Sequence, residues 1–274
     1  MSADPLVIEA RRSERAAAGG RRIALRGLGI DALTEAQAIE RLFARLARGR
    51  GGVVLTPNLD HLRRHARQPD VRPAYAKADL VLADGMPLVW ASRLQRTPLP
   101  ERVAGSDLIW TVAAHAARQG RSVFLLGGAA GVAPLAAARL VERFPTLRIA
   151  GQHCPPLGFL ESEAQLARLQ REVRAAEPDI VFVGLPSPTA ERVIALLRPL
   201  LPETWFLGLG VSLSFVSGDV RRAPRWTQHM GLEWLWRLSQ EPLRLCRRYL
   251  IEGLPFACTL LGGAALTRWR PQRP

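Results

Sequence analysis

The chain is expected to fold as an α/β protein, a mostly parallel sheet with helices on both faces, followed by a C-terminal helical appendage. Three observations carry this. Short apolar runs alternate with stretches of helical periodicity over residues 23–215, the pattern of a parallel sheet covered on both sides. Two of those runs, Val53–Leu55 and Leu80–Leu82, close in small polar residues, as buried parallel strands do. From about Ser217 the alternation stops, and tryptophan, arginine and leucine dominate.

Taken in order, residues 1–22 are polar, rich in arginine and alanine, and read as a loose leader. Ile23–Leu28 reads as a first strand. Thr34 can cap a helix to about Ala47, with Ala38, Leu42 and Leu46 at helical spacing. Gly49–Gly52 ends it, and the Val53 strand follows. Asn58 or Asp60 caps a short helix, and Pro69–Ala78 reads as another. Beyond Asp84-Gly85, Met86–Leu94 is apolar and helical until Thr97-Pro98. Ser106 or Asp107 then caps a helix to about Arg118. Ser122–Gly128 is the clearest strand, and it runs through Gly127–Gly131 into a helix ending near Phe144. Arg148–Gly151 reads as strand, Glu161–Ala176 as helix, Asp179–Gly184 as strand, Pro188–Leu200 as helix and Thr204–Gly210 as the last strand.

Composition narrows the class. The 274 residues carry 48% hydrophobic and 23% charged side chains, which excludes a disordered chain. The net charge is +14, and Lys77 is the only lysine among 38 basic residues. Arginine makes bidentate contacts with phosphates, so nucleic acid, anionic lipid or a diphosphate substrate fits this balance. Arginine-favouring codons would also explain the bias against lysine, though not the charge. No nucleic-acid module is recognisable. Cys154, Cys246 and Cys258 match neither a disulfide framework nor a zinc site, which favours a reducing compartment. Met1–Arg15 lacks the apolar core of a signal peptide. The longest uncharged run, Gly253–Thr267, is shorter than the ~20 residues of a membrane span.

In open α/β sheets, chemistry sits where loops leave the carboxyl ends of strands. Thr56-Pro57-Asn58 and Asp84-Gly85 occupy two such ends and read as the lips of one site. Asp84 is its well-placed carboxylate, able to act as a general base if burial raises its pKa. The plain alternative is a turn-forming Asp-Gly. Thr56 and Asn58 offer a hydroxyl and an amide to a sugar or a phosphate, or else serve only to cap a helix. Gly127–Gly131, between a strand and a helix N-terminus, reads as an anion cradle or as glycine permitting close packing. It is neither a Walker loop nor a full dinucleotide fingerprint. His61 and His65 share a helix face without the glutamate of a zinc-protease motif, no Asp-x-Asp is present, and no metal or cofactor is expected. In residues 217–274, Trp226, Trp234, Trp236 and Trp269 lie among arginines and leucines. Such helices read as membrane-surface elements, with a docking helix or dimer interface as the alternative.

Taken together, TPNLDHL, ADLVLADGMPLVWASR, ERVAGSDL, LLGG, PDIVFVG, RRAP and GLEWLWRLSQEPLRLCRRYL resemble the WecG/TagA/CpsF family of bacterial glycosyltransferases, glycosyltransferase family 26. They occur in family order across roughly residues 23–250. The resemblance implies a Rossmann-like core at 23–216 and an appendage at 217–274. It implies an inverting, metal-independent transfer from a UDP-sugar, of N-acetylmannosamine type or a related hexose. The acceptor would be a polyprenyl-diphosphate-linked sugar in cell-surface polysaccharide biosynthesis. The protein would lie peripherally on the inner face of the cytoplasmic membrane, against an anionic surface and not nucleic acid, with a homo-oligomer left open. Asp84 matches the family's proposed base, and Thr56 and Asn58 its neighbouring positions. Arg237, Arg244 and Arg247 match arginines of an appendage thought to close over the site and hold diphosphate. The donor pocket is expected from Gly127, Gly128, Gly184, Ala190, Glu191, Gly210 and Ser214.

The chain departs from the family pattern twice. Ala190 in Pro188-Thr189-Ala190-Glu191 replaces a glutamine, and Ser214 in Gly210-Val211-Ser212-Leu213-Ser214 replaces an acid. These departures motivate a rival reading, a catalytically weak nucleotide-sugar-binding scaffold or regulatory protein. A dinucleotide oxidoreductase is disfavoured by the missing third glycine and ribose-binding acid. On one continuous helix Arg237, Arg244 and Arg248 would share a face. A break at Glu241-Pro242 is instead expected to bring in Arg247. Removing the chain beyond Ser217 is expected to leave a folded core.

Overall fold

The computed structural model describes residues 20–224, 227 and 233–267, apart from the side chain of Arg244. The leader therefore lies outside the described residues, except for its last three. The first described element is not one strand but a hairpin, β1 (Arg22–Leu25) and β2 (Leu28–Asp31), paired antiparallel. Arg26 and Gly27 turn the chain with φ of 48° and 83°. Two successive left-handed residues make the tight turn whose twist suits a hairpin, and this splits the apolar run expected to be a single strand.

The main sheet holds six strands in the order β4-β3-β8-β7-β5-β6, all parallel. They are β3 (Gly52–Leu55), β4 (Leu80–Val81), β5 (Ser122–Gly127), β6 (Arg148–His153), β7 (Ile180–Gly184) and β8 (Trp205–Gly208). Strand side chains alternate between faces, and the core divides accordingly. Val53, Leu55, Phe124, Leu126, Val181 and Val183 join one buried cluster. Val54, Val123, Leu125, Ile180 and Phe182 join the other. The second face is covered by α1 (Glu35–Leu46), α5 (Gly105–Arg118), α6 (Val132–Arg143) and α9 (Ser212–Ser217). The first is covered by α2 (Leu59–Arg67), α3 (Arg72–Lys77), α4 (Met86–Leu94), α7 (Glu163–Ala176) and α8 (Thr189–Leu197).

Caps explain several boundaries. Thr34 and Gln37 form a reciprocal capping box at the start of α1. Asn58 caps α2 through the N–H groups of Asp60 and His61. Helix α5 starts one residue before the expected caps, at Gly105. A Cβ there would lie 3.1 Å from Thr56 Oγ1, so glycine lets this helix end close against β3.

Buried and half-buried aspartates pin the sheet through backbone N–H groups. Asp79 accepts the Val53 N–H at 2.9 Å and pairs with Arg45 at 3.0 Å. Asp179 accepts the Ser122 N–H at 2.7 Å and its hydroxyl at 3.0 Å, and pairs with Arg121 at 3.0 Å. Asp31 accepts the Val81 N–H at 2.7 Å and so ties the hairpin to the edge strand β4.

The C-terminal segment comprises α10 (Glu233–Gln240), α11 (Pro242–Cys246), a wide π-type turn Arg247–Gly253 and α12 (Leu254–Thr267). Pro242 sits in the first turn of α11, where its missing N–H costs nothing. The π-type turn and α12 form one 21-residue rod, long and apolar enough by length and composition to cross a membrane. The shorter uncharged run counted from the sequence missed this, because a spanning helix tolerates the few charges at its start. Yet Phe256, Leu260 and Ala264 are buried in the first core cluster, and α12 packs on α4. Arg26, at the hairpin turn, donates to the Thr259 carbonyl at 3.0 Å. Ending the chain at Ser217 would bare this apolar stripe, so an intact core is not expected to survive that cut.

Candidate active site

A cavity of about 410 Å³ opens at the carboxyl ends of β4, β3, β8 and β7 and is walled on its outer side by the C-terminal segment. Its floor joins the two lips foreseen from the sequence. The Asp84 N–H donates to the Pro57 carbonyl at 2.9 Å. Gly85 follows with φ 145°, a conformation that favours glycine, and α4 starts immediately beyond it.

Asp84 keeps 29% of its side chain exposed, into the cavity rather than open water. Burial raises its pKa from the ordinary carboxylate range to about 6. Arg102, 3.7 Å away, opposes the rise, as does a hydrogen bond from the Gly105 backbone at the start of α5. Glu233 and Asp107 push it further up. At that value Asp84 is largely ionised at neutral pH yet a stronger base than a surface carboxylate.

Thr56 donates its hydroxyl to the Gly208 carbonyl at 3.0 Å, which locks β3 to β8 and leaves its oxygen lone pairs as acceptors. Asn58 uses its carboxamide oxygen in the α2 cap, so its NH2 is what it offers a ligand. Capping and lining thus coincide at Asn58. Behind them, Tyr75 donates to Glu191 Oε1 at 3.1 Å, while Glu191 Oε2 is buried without a partner. Burial and the neighbouring Glu191 raise the Tyr75 pKa, so it stays a donor. Burial lowers the His61 pKa against the opposing pull of Glu191, and its Nδ1 lies 2.8 Å from Asn58 Oδ1.

The expected donor residues divide into two groups. Ala190, Glu191 and Gly210 line the cavity. Gly127, Gly128, Gly184 and Ser214 do not. A Cβ on Gly127 would come within 2.6 Å of the Gly184 carbonyl, on Gly128 within 2.4 Å of Val132, and on Gly184 within 2.5 Å of Leu213. Close packing at the ends of β5 and β7 accounts for these glycines. Ser214 lies between Ser212 and Phe215 on α9 but on a different face of the helix, and those two reach the cavity instead.

Among the arginines, Arg237 lines the cavity, with its guanidinium 5.8 Å from the Phe215 ring centre. Arg248 also lines it and pairs with Asp60 at 3.2 Å. Arg247 is 82% exposed and pairs with Glu252 at 3.2 Å, away from the cavity. The geometry therefore favours the helical face that includes Arg248 over the choice of Arg247. The expected break at Glu241-Pro242 is present, with Glu241 at φ −132° and ψ 59°, but past it Arg248 and not Arg247 reaches the cavity. The Arg244 side chain, Trp226 and Trp269 lie outside the described residues. Burial alone would raise the Asp60 carboxyl, but Arg248, Arg63 and Arg64 outweigh it and hold it low.

Sequence reasoning missed Arg102, Glu233, Tyr75 and His61 as lining groups. Helical spacing did single out Arg248. Glu233 carries no local signal, since an acid on an amphipathic helix reads as solvated. Among the described residues, no three His, Cys, Asp or Glu side chains are placed to hold a metal ion.

A family model described as the Glycosyl transferase WecG/TagA/CpsF family matches residues 23–270. An N-acetylglucosaminyldiphosphoundecaprenol N-acetyl-beta-D-mannosaminyltransferase of Bacillus spizizenii is 32% identical over 199 residues, covering 73% of this chain and 75% of that protein. A Bacillus subtilis protein of the same name is 30% identical over 211 residues, covering 77% of this chain and 79% of its own.

Proposed function

Because the chain belongs to the WecG/TagA/CpsF family of glycosyltransferases, we propose that it moves an N-acetylmannosamine-type sugar from a UDP-sugar to a polyprenyl-diphosphate-linked N-acetylglucosamine. The observation that carries this reading is Asp84, placed at a strand end on the cavity floor with its pKa raised to about 6. In a single inverting displacement, an acceptor hydroxyl oxygen attacks the anomeric carbon as the bond to the UDP oxygen breaks. Asp84 takes the hydroxyl proton, and UDP leaves with the bonding electrons. Fixed positive charge near the leaving oxygen lowers that barrier. Arg102 and Arg237 line the cavity and supply it. Thr56 and Asn58 orient the sugar. Ala190, where the family has glutamine, leaves room and removes one polar contact beside Glu191.

The segment beyond residue 216 roofs the cavity in this reading and rests on lipid. Leu250, Ile251, Leu254 and Leu266 are exposed on it, an apolar surface suited to the membrane interface, where a lipid-linked acceptor is held. A peripheral site on the inner face of the cytoplasmic membrane follows. The test supplies UDP-sugars with a short polyprenyl-diphosphate-N-acetylglucosamine, with and without EDTA. The expected result is UDP release and an inverted linkage in both conditions. UDP binding without transfer to any acceptor would instead support the scaffold reading.

A further inference from the structure

Arg102 faces three carboxylates and makes only one long hydrogen bond among them, to Asp107. Its Nη1 lies 3.7 Å from Asp84 Oδ1 and 3.6 Å from Glu233 Oε2, and its Nη2 lies 3.4 Å from Asp107 Oδ2. The other Asp107 oxygen is taken by Arg222 at 2.7 Å. Asp84 sits on the loop after β4, Arg102 on the loop before α5, Asp107 in the first turn of α5, and Glu233 on α10 of the C-terminal segment. One nitrogen thus stands between the proposed base and an acid delivered from a distant part of the chain.

That acid is out of place for charge alone. A cavity that takes a diphosphate gains from every cation and loses from every anion. Glu233 nevertheless faces into it and makes no contact with Arg102 shorter than 3.6 Å. Both its carboxylate and that of Asp84 approach the same Nη1, so the two oxygens are at most about 7 Å apart. At that separation, in a partly desolvated cavity, one unit charge perturbs a neighbour's ionisation.

We infer that Glu233 is a positioning residue through which the C-terminal segment sets the proton affinity of Asp84. With the segment seated, Glu233 divides Arg102 and adds a like charge, and both effects hold the proton more tightly on Asp84. With it withdrawn, Arg102 turns wholly to Asp84, water enters, and the carboxylate becomes an ordinary weak base. The base would reach full strength only under the roof that covers the acceptor. The inference rests on the proposed role of Asp84 but is read without turnover.

The experiment follows the Asp84 carboxyl by carbon-detected NMR titration of the full chain, assigned with Asp84→Asn. Glu233→Gln should lower the Asp84 midpoint by about one pH unit, and the acid limb of kcat/KM should move down with it. Glu233→Asp, which keeps the charge, should restore most of the difference. Trp234 fluorescence reports whether α10 remains seated in each variant. An unchanged midpoint in Glu233→Gln, or an equal fall in both variants, overturns the inference. A wild-type chain that shows the Asp84 shift yet transfers no sugar overturns the proposed function instead.

Discussion

At the amino ends of the strands, Asp79 and Asp179 each accept a backbone N–H and pair with an arginine at 3.0 Å. At the carboxyl ends, Asp84 shares an arginine at 3.7 Å with Glu233 and Asp107, and Glu191 keeps one oxygen buried without a partner. Both sets are carboxylates on the same sheet. The first set is saturated, and each hydrogen bond to a charged group adds about 1.5–3 kcal/mol to the fold. The second is left short of partners, which costs stability and leaves charge free to meet a substrate. The contrast separates residues that hold the sheet from residues proposed to act on a ligand, although composition alone makes them look alike.

The contrast breaks first at Asp84. Asp84→Asn should lower turnover by about 10²–10⁴-fold, the range for losing a general base, while the protein stays folded. Near-wild-type transfer rates would remove Asp84 from the mechanism. The same substitution should raise stability above pH 6. A carboxyl whose folded pKa is raised favours the fold while protonated, and that advantage is lost as pH rises from about 4 through about 6. Removing the charge should therefore gain about 1–3 kcal/mol at pH 8 and little at pH 4, as read by urea unfolding at both values.

At the opposite end, Asp79→Ala should cost about 2–4 kcal/mol, because it strands the Val53 N–H and the partly buried Arg45. Transfer per folded molecule should not change. A loss of kcat with stability intact would erase the distinction between the two ends.

The smallest effect sharpens the comparison within the roof. Arg248→Ala, which removes a cavity-lining partner of Asp60, should raise the acceptor KM by roughly tenfold, about 1–2 kcal/mol. Arg247→Ala, at an exposed pair, should change it less than about twofold. Equal effects would mean that the wall position of Arg248 does not matter.

Much of this was legible in local sequence. Strand and helix periods located the layers, and the polar ends of two apolar runs placed Thr56, Asn58 and Asp84 on one floor. A glycine pattern does not distinguish a backbone approaching a ligand from one approaching another backbone, and so the sequence alone points to Gly127, Gly128 and Gly184 as donor contacts where the structure packs them against neighbouring chain. The hairpin was hidden because Arg26-Gly27 interrupts an apolar run by only two residues. Arg102 and Glu233 meet across more than a hundred residues of chain, and no local period encodes that meeting. Ser214 misses the cavity because it points to another face of the six-residue helix than Ser212 and Phe215, and a short helix carries too little periodicity for sequence to fix its faces.

The hydrogen bond from Arg26 to Thr259 spans 233 residues. A ribosome adding about 5–20 residues per second completes the hairpin roughly 10–50 s before it makes α12. Until then α4 has no cover on the face that α12 will occupy. A nascent chain must keep that surface from associating with others, and chaperone dependence should rise when translation slows late in the message. This late segment both seals the core and walls the cavity, so the packing and the site are completed in the same step of synthesis.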